Sequence, residues 1–225
     1  MLMHDIRCPI NNITSLAQLL KTNQDLPEPL RHLVELLIEQ SRKVYQLTQF
    51  HNFYQQLESG NYQPDRSGFN LLTLLVKIQQ QLQLVHPTNV VDIRVNGQQA
   101  DLSQSYPFYA DVQATELMLQ NLIQNAVEAS PAHASVGVDI RITSAGEPVQ
   151  PATIVIHNQG VIPEAIRACF FEKFVTSGKK KGTGLGTYIA LRVAQAHGGS
   201  LSFITSVQQG TTLNVRFPNT SCLSF

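Results

Sequence analysis

Lys181-Gly182-Thr183-Gly184-Leu185-Gly186-Thr187-Tyr188 decides how the rest of this chain is read. Glycines stand at alternate positions, and the stretch leads straight into a helix-like run from Tyr188 to Ala196. Glycine lets a backbone approach a ligand closely and adopt positive φ. A helix N-terminus presents free N–H groups and the positive end of its dipole to an anion. Together these features describe a phosphate cradle. Glycine-rich turns are common, so the meaning of this one depends on its neighbours.

Upstream lies Asn121-Leu122-Ile123-Gln124-Asn125-Ala126-Val127-Glu128-Ala129. Asn121 and Asn125 are four apart and share one face of a helix. Leu117, Met118, Leu122 and Ile123 supply apolar neighbours for packing. Two amides on a packed helix need partners. A solvated face satisfies them, and so does side-chain ligation of Mg²⁺ and phosphate. Further on, Ile154-Val155-Ile156 reads as a buried strand running into the turn His157-Asn158-Gln159-Gly160-Val161-Ile162-Pro163. Phe170-Phe171-Glu172-Lys173-Phe174 and the lysine run Lys179 to Lys181 follow.

The order of these segments resembles the ATP-binding domain of bacterial sensor histidine kinases, a Bergerat-fold family shared with gyrase. Residues 121–129 resemble its N box, Asn158 to Gly160 its G1 box, Phe171 to Phe174 its F box and Gly182 to Gly186 its G2 box. His197-Gly198-Gly199-Ser200 resembles the turn that follows. Near the start, His4-Asp5-Ile6-Arg7-Cys8-Pro9 resembles the phosphoacceptor H box. Several motifs in one order are far more specific than any alone, and they extend over nearly the whole chain.

Composition sets outer bounds. The 225 residues suffice for one or two domains, and 43% hydrophobic content supports an ordinary core. Formal net charge is zero, so no nucleic-acid partner is suggested. Cys8, Cys169 and Cys222 have no metal-ligand spacing. Their odd number, without an apparent secretory signal, points to reduced thiols and a cytoplasmic location. No apolar run reaches the length of a membrane segment.

Residues 1–58 read as two helices broken around Pro27 and Pro29. Ile6, Ile10, Ile13, Ala17 and Leu20 form one bundle seam; Leu30, Leu33, Leu37, Val44, Leu47 and Tyr54 form a second stripe. Such a hairpin is too thin to bury both faces alone, and dimerisation into a four-helix bundle solves this. Ser59 to Asp65 reads as a linker. Beyond it, the patterns give helices over 70–84, from about 114, and over 187–197, with strands at 90–95, 106–110, 136–143, 153–156, 200–205 and 211–217. The expected fold is therefore α+β. An N-terminal helical hairpin (1–58) forms a dimeric four-helix bundle, and an α/β-sandwich Bergerat-fold ATP-binding domain (66–225) follows.

The resemblance implies roles residue by residue. His4 is the phosphoryl acceptor, and Asp5 orients its ring and takes its proton. Asn125 is the Mg²⁺ ligand, with Asn121 near the phosphates of ATP. Hydrolytic relatives place a glutamate at the position of Asn121 to activate water; an amide is not a usable general base. The residue therefore favours transfer over hydrolysis. Asn158 and Gly160 face the adenine; Gly182, Gly184, Leu185 and Gly186 cradle the phosphates, and a lysine among Lys179 to Lys181 reaches the γ-phosphate. The resemblance further implies a homodimer passing its phosphoryl group to the receiver domain of a response regulator.

Several departures stand out. Asn158 replaces the usual aspartate, and Ile162 stands where a second glycine is expected, so the turn is one residue short. These differences, with only Met1 to Met3 before His4, keep open a nucleotide-binding adaptor without autophosphorylation. They also leave open a piece of a longer sensor. Cys8 occupies a position where many members carry Thr or Asn to activate water for regulator dephosphorylation; a thiol is a weak hydrogen-bonding group.

Overall fold

The structure, a computed structural model, describes residues 2–23, 25–142, 149–177 and 183–221. Within these spans, the side chains of residues 2–8, 11, 142, 149–151 and 218–221, and of several between 39 and 50, lie outside the description. The chain divides into two compact units, Met1–Tyr62 and Gln63–Phe225.

The first unit is a helical hairpin of α1 (Leu2–Lys21) and α2 (Glu28–Glu58). Pro27 caps α2, and Pro29 sits in its first turn, where its missing N–H costs nothing. Ala17, Val34 and Ile38 are buried together, with Leu26 closing the cluster near the loop. Ile10 is also buried. Lys21 Nζ lies 2.9 Å from a Glu35 carboxylate oxygen and ties the loop end of the two helices.

This packing separates the hairpin's own core from the stripe expected to face a second copy. Ile13, Leu33 and Leu37, expected in a seam, are 43%, 58% and 46% exposed in the single chain. Leu20, Leu30, Val44 and Leu47 are exposed as well. Within the single chain the hairpin closes on Val34 and Ile38, one position further round α2. Both sets obey helical spacing, so periodicity alone does not say which one meets α1.

The second unit is a sheet backed by helices. Its elements are β1 (Arg66–Asn70), α3 (Leu71–Val85), β2 (Val90–Val95), β3 (Gln98–Gln99), β4 (Pro107–Asp111) and α4 (Val112–Ala129). There follow β5 (Ser135–Ile142), β6 (Val149–Asn158), α5 (Glu164–Arg167), α6 (Gly186–Ala196), β7 (Ser200–Ser206) and β8 (Gly210–Ser221). Six strands form one sheet in the order β3-β2-β5-β6-β8-β7, and β1 pairs with β4 separately. Among the described residues, only the β2–β5 pair is parallel.

Strand alternation explains the two layers. Val136, Val138 and Ile140 of β5, Ile154 and Ile156 of β6, and Leu213, Val215 and Phe217 of β8 are buried. Between them, Asp139 and Arg141 point to the open face and pair at 2.9 Å, as Asp92 and Arg94 do at 2.7 Å. Leu71, Ile78, Met118, Leu122, Ile189 and Val193 bring α3, α4 and α6 onto this core. Asn70 and Asp111 cap α3 and α4, accepting hydrogen bonds from the N–H groups of Leu72 and Ala114. The α/β sandwich is thus the expected one. Three short elements, β1, β3 and α5, were outside the sequence reading.

Candidate functional site

The glycine-rich stretch, the paired-asparagine helix, the strand-end turn and the phenylalanine segment meet in the second unit through close contacts. Gly186 opens α6, and a Cβ on it would stand 3.1 Å from Asn121 Oδ1 on α4. Gly184 adopts φ of +66° and lies against the backbone of Phe174, where a Cβ would come within 2.5 Å. Gly160 lies against the last turn of α4; a Cβ there would stand 2.2 Å from the Ala129 carbonyl oxygen. Gly184 needs the left-handed conformation, and Gly160 needs the space.

The two asparagines project from one face of α4, and both are half-buried. Asn121 Nδ2 donates to the Leu117 carbonyl at 2.8 Å, one turn back. That bond fixes the amide, so its oxygen is the atom presented to Gly186. Asn125 follows one turn later and has its own partner in the structure. Leu185 caps α6 with no side-chain hydrogen bond to the helix. The amides of this first turn are thus not taken by a cap, which is the electrostatic condition for holding an anion.

The F segment is anchored on two sides. Thr187 Oγ1 donates to the Phe170 carbonyl at 2.8 Å. Phe170, Phe171 and Phe203 of β7 form an edge-on aromatic cluster, with centroids 5.1 to 5.7 Å apart. Lys173 Nζ lies 5.2 Å from the Tyr188 ring centroid.

Asn158 ends β6 and is 3% exposed. Its turn is held by residues that the sequence reading missed. Ile162 N–H donates to Thr205 Oγ1 at 3.1 Å, and Thr211 Oγ1 donates to the Gly160 carbonyl at 2.8 Å. The two hydroxyls are themselves 2.8 Å apart. Thr211 has given its proton to Gly160, so Thr205 is the donor between them. A one-way chain therefore spans the turn, from the Ile162 amide to the Gly160 carbonyl. Gly210, with φ of +72°, lets β8 approach so closely that a Cβ there would be 2.1 Å from the Asn158 carbonyl oxygen. The threonines lie 43 and 51 positions from their partners, beyond the reach of local pattern. Gly210 following Gln208-Gln209 was the one available signal, as a hairpin turn.

His197 joins the two site helices. Asp111 N–H, at the cap of α4, donates to His197 Nε2 at 3.0 Å. Nε2 is therefore unprotonated, and Nδ1 carries the proton to the Val193 carbonyl at 2.8 Å. Burial pushes this imidazole below its ordinary pKa, partly offset by the bond to Val193.

Residues 110–221 match the family described as histidine kinase-, DNA gyrase B-, and HSP90-like ATPase. Sensor kinases of the same kind align with almost the full chain, hairpin included. Residues 110–221 are an ATPase domain of this family, and the chain as a whole is similar to sensor histidine kinases. It is 26% identical over 219 residues to the alginate biosynthesis sensor protein KinB of Pseudomonas aeruginosa, covering 96% of this chain and 35% of that protein. It is 27% identical over 231 residues to the sensory histidine kinase/phosphatase NtrB of Azospirillum brasilense, covering 97% of this chain and 54% of that protein. Full-length ShkA, solved in complex with AMPPNP, shares the fold with a TM-score of 0.64 at 22% identity, over 99% of this chain and 46% of that one. The chain thus spans only part of the length of each relative. Among the described residues, no helix of this kinase core is long and apolar enough to cross a membrane.

The side chains of His4, Asp5 and Cys8 lie outside the described residues, although α1 carries their backbone. Lys179 to Lys181 and Gly182 lie outside them altogether.

Proposed function

We propose that this chain is an ATP-dependent histidine autokinase of a two-component signalling system. It takes the γ-phosphoryl group of Mg-ATP onto His4 and passes it to an aspartate of a response regulator receiver domain. The observation that carries this reading is the meeting of the four nucleotide motifs. Asn121 touches Gly186, Gly184 touches Phe174, and Gly160 touches the end of α4.

The residues present fit a nucleotide. Gly160, Gly184 and Gly186 stand at close backbone approaches, the first turn of α6 is uncapped, and Asn158 carries a buried amide nitrogen with no partner. Asn158 and Gly160 would hold the base; Gly182, Gly184, Leu185 and Gly186 the phosphates, with Asn121 near them; and Asn125 the Mg²⁺. When bound, Mg-ATP supplies the electrophilic phosphoryl group. A neutral ring nitrogen of His4 forms the new N–P bond as the bond to the ADP oxygen breaks, and Asp5 accepts the proton from the other ring nitrogen. Asn121, an amide, activates no water, which favours transfer over hydrolysis.

The domain roles follow. Residues 1–58 are the dimerisation and phosphoacceptor hairpin, and residues 66–225 are the catalytic domain of a cytoplasmic homodimer. Cys8 in place of a water-orienting Thr or Asn makes it kinase-biased. The adaptor reading draws support from one observation, the amide at Asn158 in place of a carboxylate.

Incubation with radiolabelled Mg-ATP distinguishes the two. Label that survives alkali and is lost in acid marks a phosphohistidine and supports the kinase. Nucleotide binding without such label supports the adaptor.

A further inference from the structure

Asn158 Nδ2, at the base end of the site, is buried and has no hydrogen-bond partner among the described residues. Leaving such a group unpaired is costly, and a ligand acceptor recovers that cost. The place of the side chain is set by its backbone. Its backbone is locked in the β6–β8 ladder, paired with Thr211 and overlaid by Gly210. Nδ2 itself lies 2.8 Å from where a Cβ of Gly160 would stand.

The threonines beside it have no donor to spare. Thr211 gives its proton to Gly160, and Thr205 gives its proton to Thr211. The base is therefore read by the Asn158 amide. A carboxylate at this position is acceptor-only: it takes the exocyclic N–H of adenine and repels the O6 of guanine. An amide carries one acceptor and two donors, and its two ends exchange by a half-turn about the terminal torsion. In one orientation it accepts from adenine N6–H and donates to N1. In the other it donates to guanine O6 and accepts from N1–H.

We infer that Asn158 makes the nucleotide pocket of this kinase core tolerant of both purines, so that guanine nucleotides bind alongside adenine nucleotides. This rests on the nucleotide-binding reading above and deepens it. The test is displacement of a fluorescent ATP analogue from the full chain in Mg²⁺ by unlabelled ATP, GTP and CTP. In the unmodified chain, GTP should match ATP to within about tenfold, with CTP weaker than both because a pyrimidine does not span the purine contacts. Asn158→Asp should restore selection, weakening GTP relative to ATP by more than about tenfold.

GTP weaker than ATP by more than about tenfold in the unmodified chain overturns the inference and leaves ATP binding intact. Failure of the analogue to bind at all overturns both. A folded Asn158→Asp chain with an unchanged ratio also overturns the inference. A carboxylate buried here can destabilise the domain, so its melting temperature is read first. If the variant does not fold, the unmodified ratio decides by itself.

Discussion

On α4, Met118, Leu119, Leu122 and Ile123 form a band no more than 1% exposed; on α2, Leu33 and Leu37 remain 58% and 46% exposed. Both helices carry apolar residues at helical spacing. The difference lies in what each has to pack on. The second unit offers α4 a six-stranded sheet on one side and α3 and α6 beside it. The hairpin offers α2 only α1, which covers a single stripe containing Val34 and Ile38. A two-helix layer cannot bury two stripes, so one unit closes its own core and the other leaves a face for another layer. That surplus face fits assembly with a second copy. The closed unit fits a rigid mount for a ligand.

The sharpest division between the two regions is chemical. His4→Gln should abolish acid-labile phosphorylation while nucleotide affinity stays within about twofold, because His4 belongs to the hairpin and the nucleotide motifs to the other unit. Phosphate label measured beside analogue binding checks both halves. Persistent acid-labile label would remove His4 from its role, and a lost affinity would break the independence of the two units.

Next in size is assembly. Ile13 is 43% exposed in the single chain, alongside Leu16 and Leu20. Ile13→Asp places a charge in the proposed seam and should convert dimer to monomer at micromolar concentration, a weakening of at least about a hundredfold. The secondary structure of the chain should not change, since the buried Ile10 and Ala17 still hold the hairpin. Sedimentation of both chains decides it. An unmodified chain already monomeric would mean that the exposed stripe serves another partner.

Within the second unit, two glycines give a matched pair. Gly160→Ala drives a methyl group into the Ala129 carbonyl, and backbone on both sides must move. It should cost about 2 kcal/mol or more and take nucleotide binding with it. Gly137, on β5, has nothing within 4 Å of its Cβ position. Gly137→Ala should change stability by less than about 0.5 kcal/mol. Urea unfolding of both variants reads the contrast. Equal stabilities would show that the turn and α4 are not in close contact.

The same contrast explains what was legible in the chain. Helices α1, α2, α3, α4 and α6 stand out because an apolar period of 3.6 persists over several turns. The long strands stand out by alternation and by the Val and Ile content of their buried positions. β3 has two residues and α5 has four, too few to set a period. On α2, Leu30, Leu33 and Leu37 are as periodic as Val34 and Ile38, so spacing alone does not say which stripe closes the hairpin and which faces a second copy. The nucleotide motifs are local and glycine-marked, so they could be read; the Thr205–Thr211 support comes from distant segments and could not. His197 was readable only as part of a turn, and its bond to the cap of α4 belongs to tertiary structure.

That bond gives the smallest of the expected effects. His197 accepts from Asp111 N–H through Nε2, so protonation of Nε2 removes the acceptor and sets an N–H against an N–H. The surroundings favour the neutral ring. Burial is the main cause; the Val193 carbonyl on its own helix opposes it, Arg66 on β1 adds to it, and Asp111 opposes it. The folded-state pKa therefore lies below the unfolded value of about 6.5. Above that value, both states hold the ring neutral and it contributes no pH dependence. As pH falls below it, the unfolded chain binds the proton first, and stability declines until the folded ring also titrates. The loss should be about 1 kcal/mol, the scale of one hydrogen bond. It should fall on the α4–α6 pair that carries Asn121 and Gly186, and so on the nucleotide site more than on the hairpin. Urea midpoints at pH 7.5 and 5.5, compared with those of His197→Gln, isolate the contribution from the other histidines. The glutamine variant should be less stable at the higher pH, and its midpoint should change less between the two. Parallel changes in both proteins would show that His197 is not the titrating group.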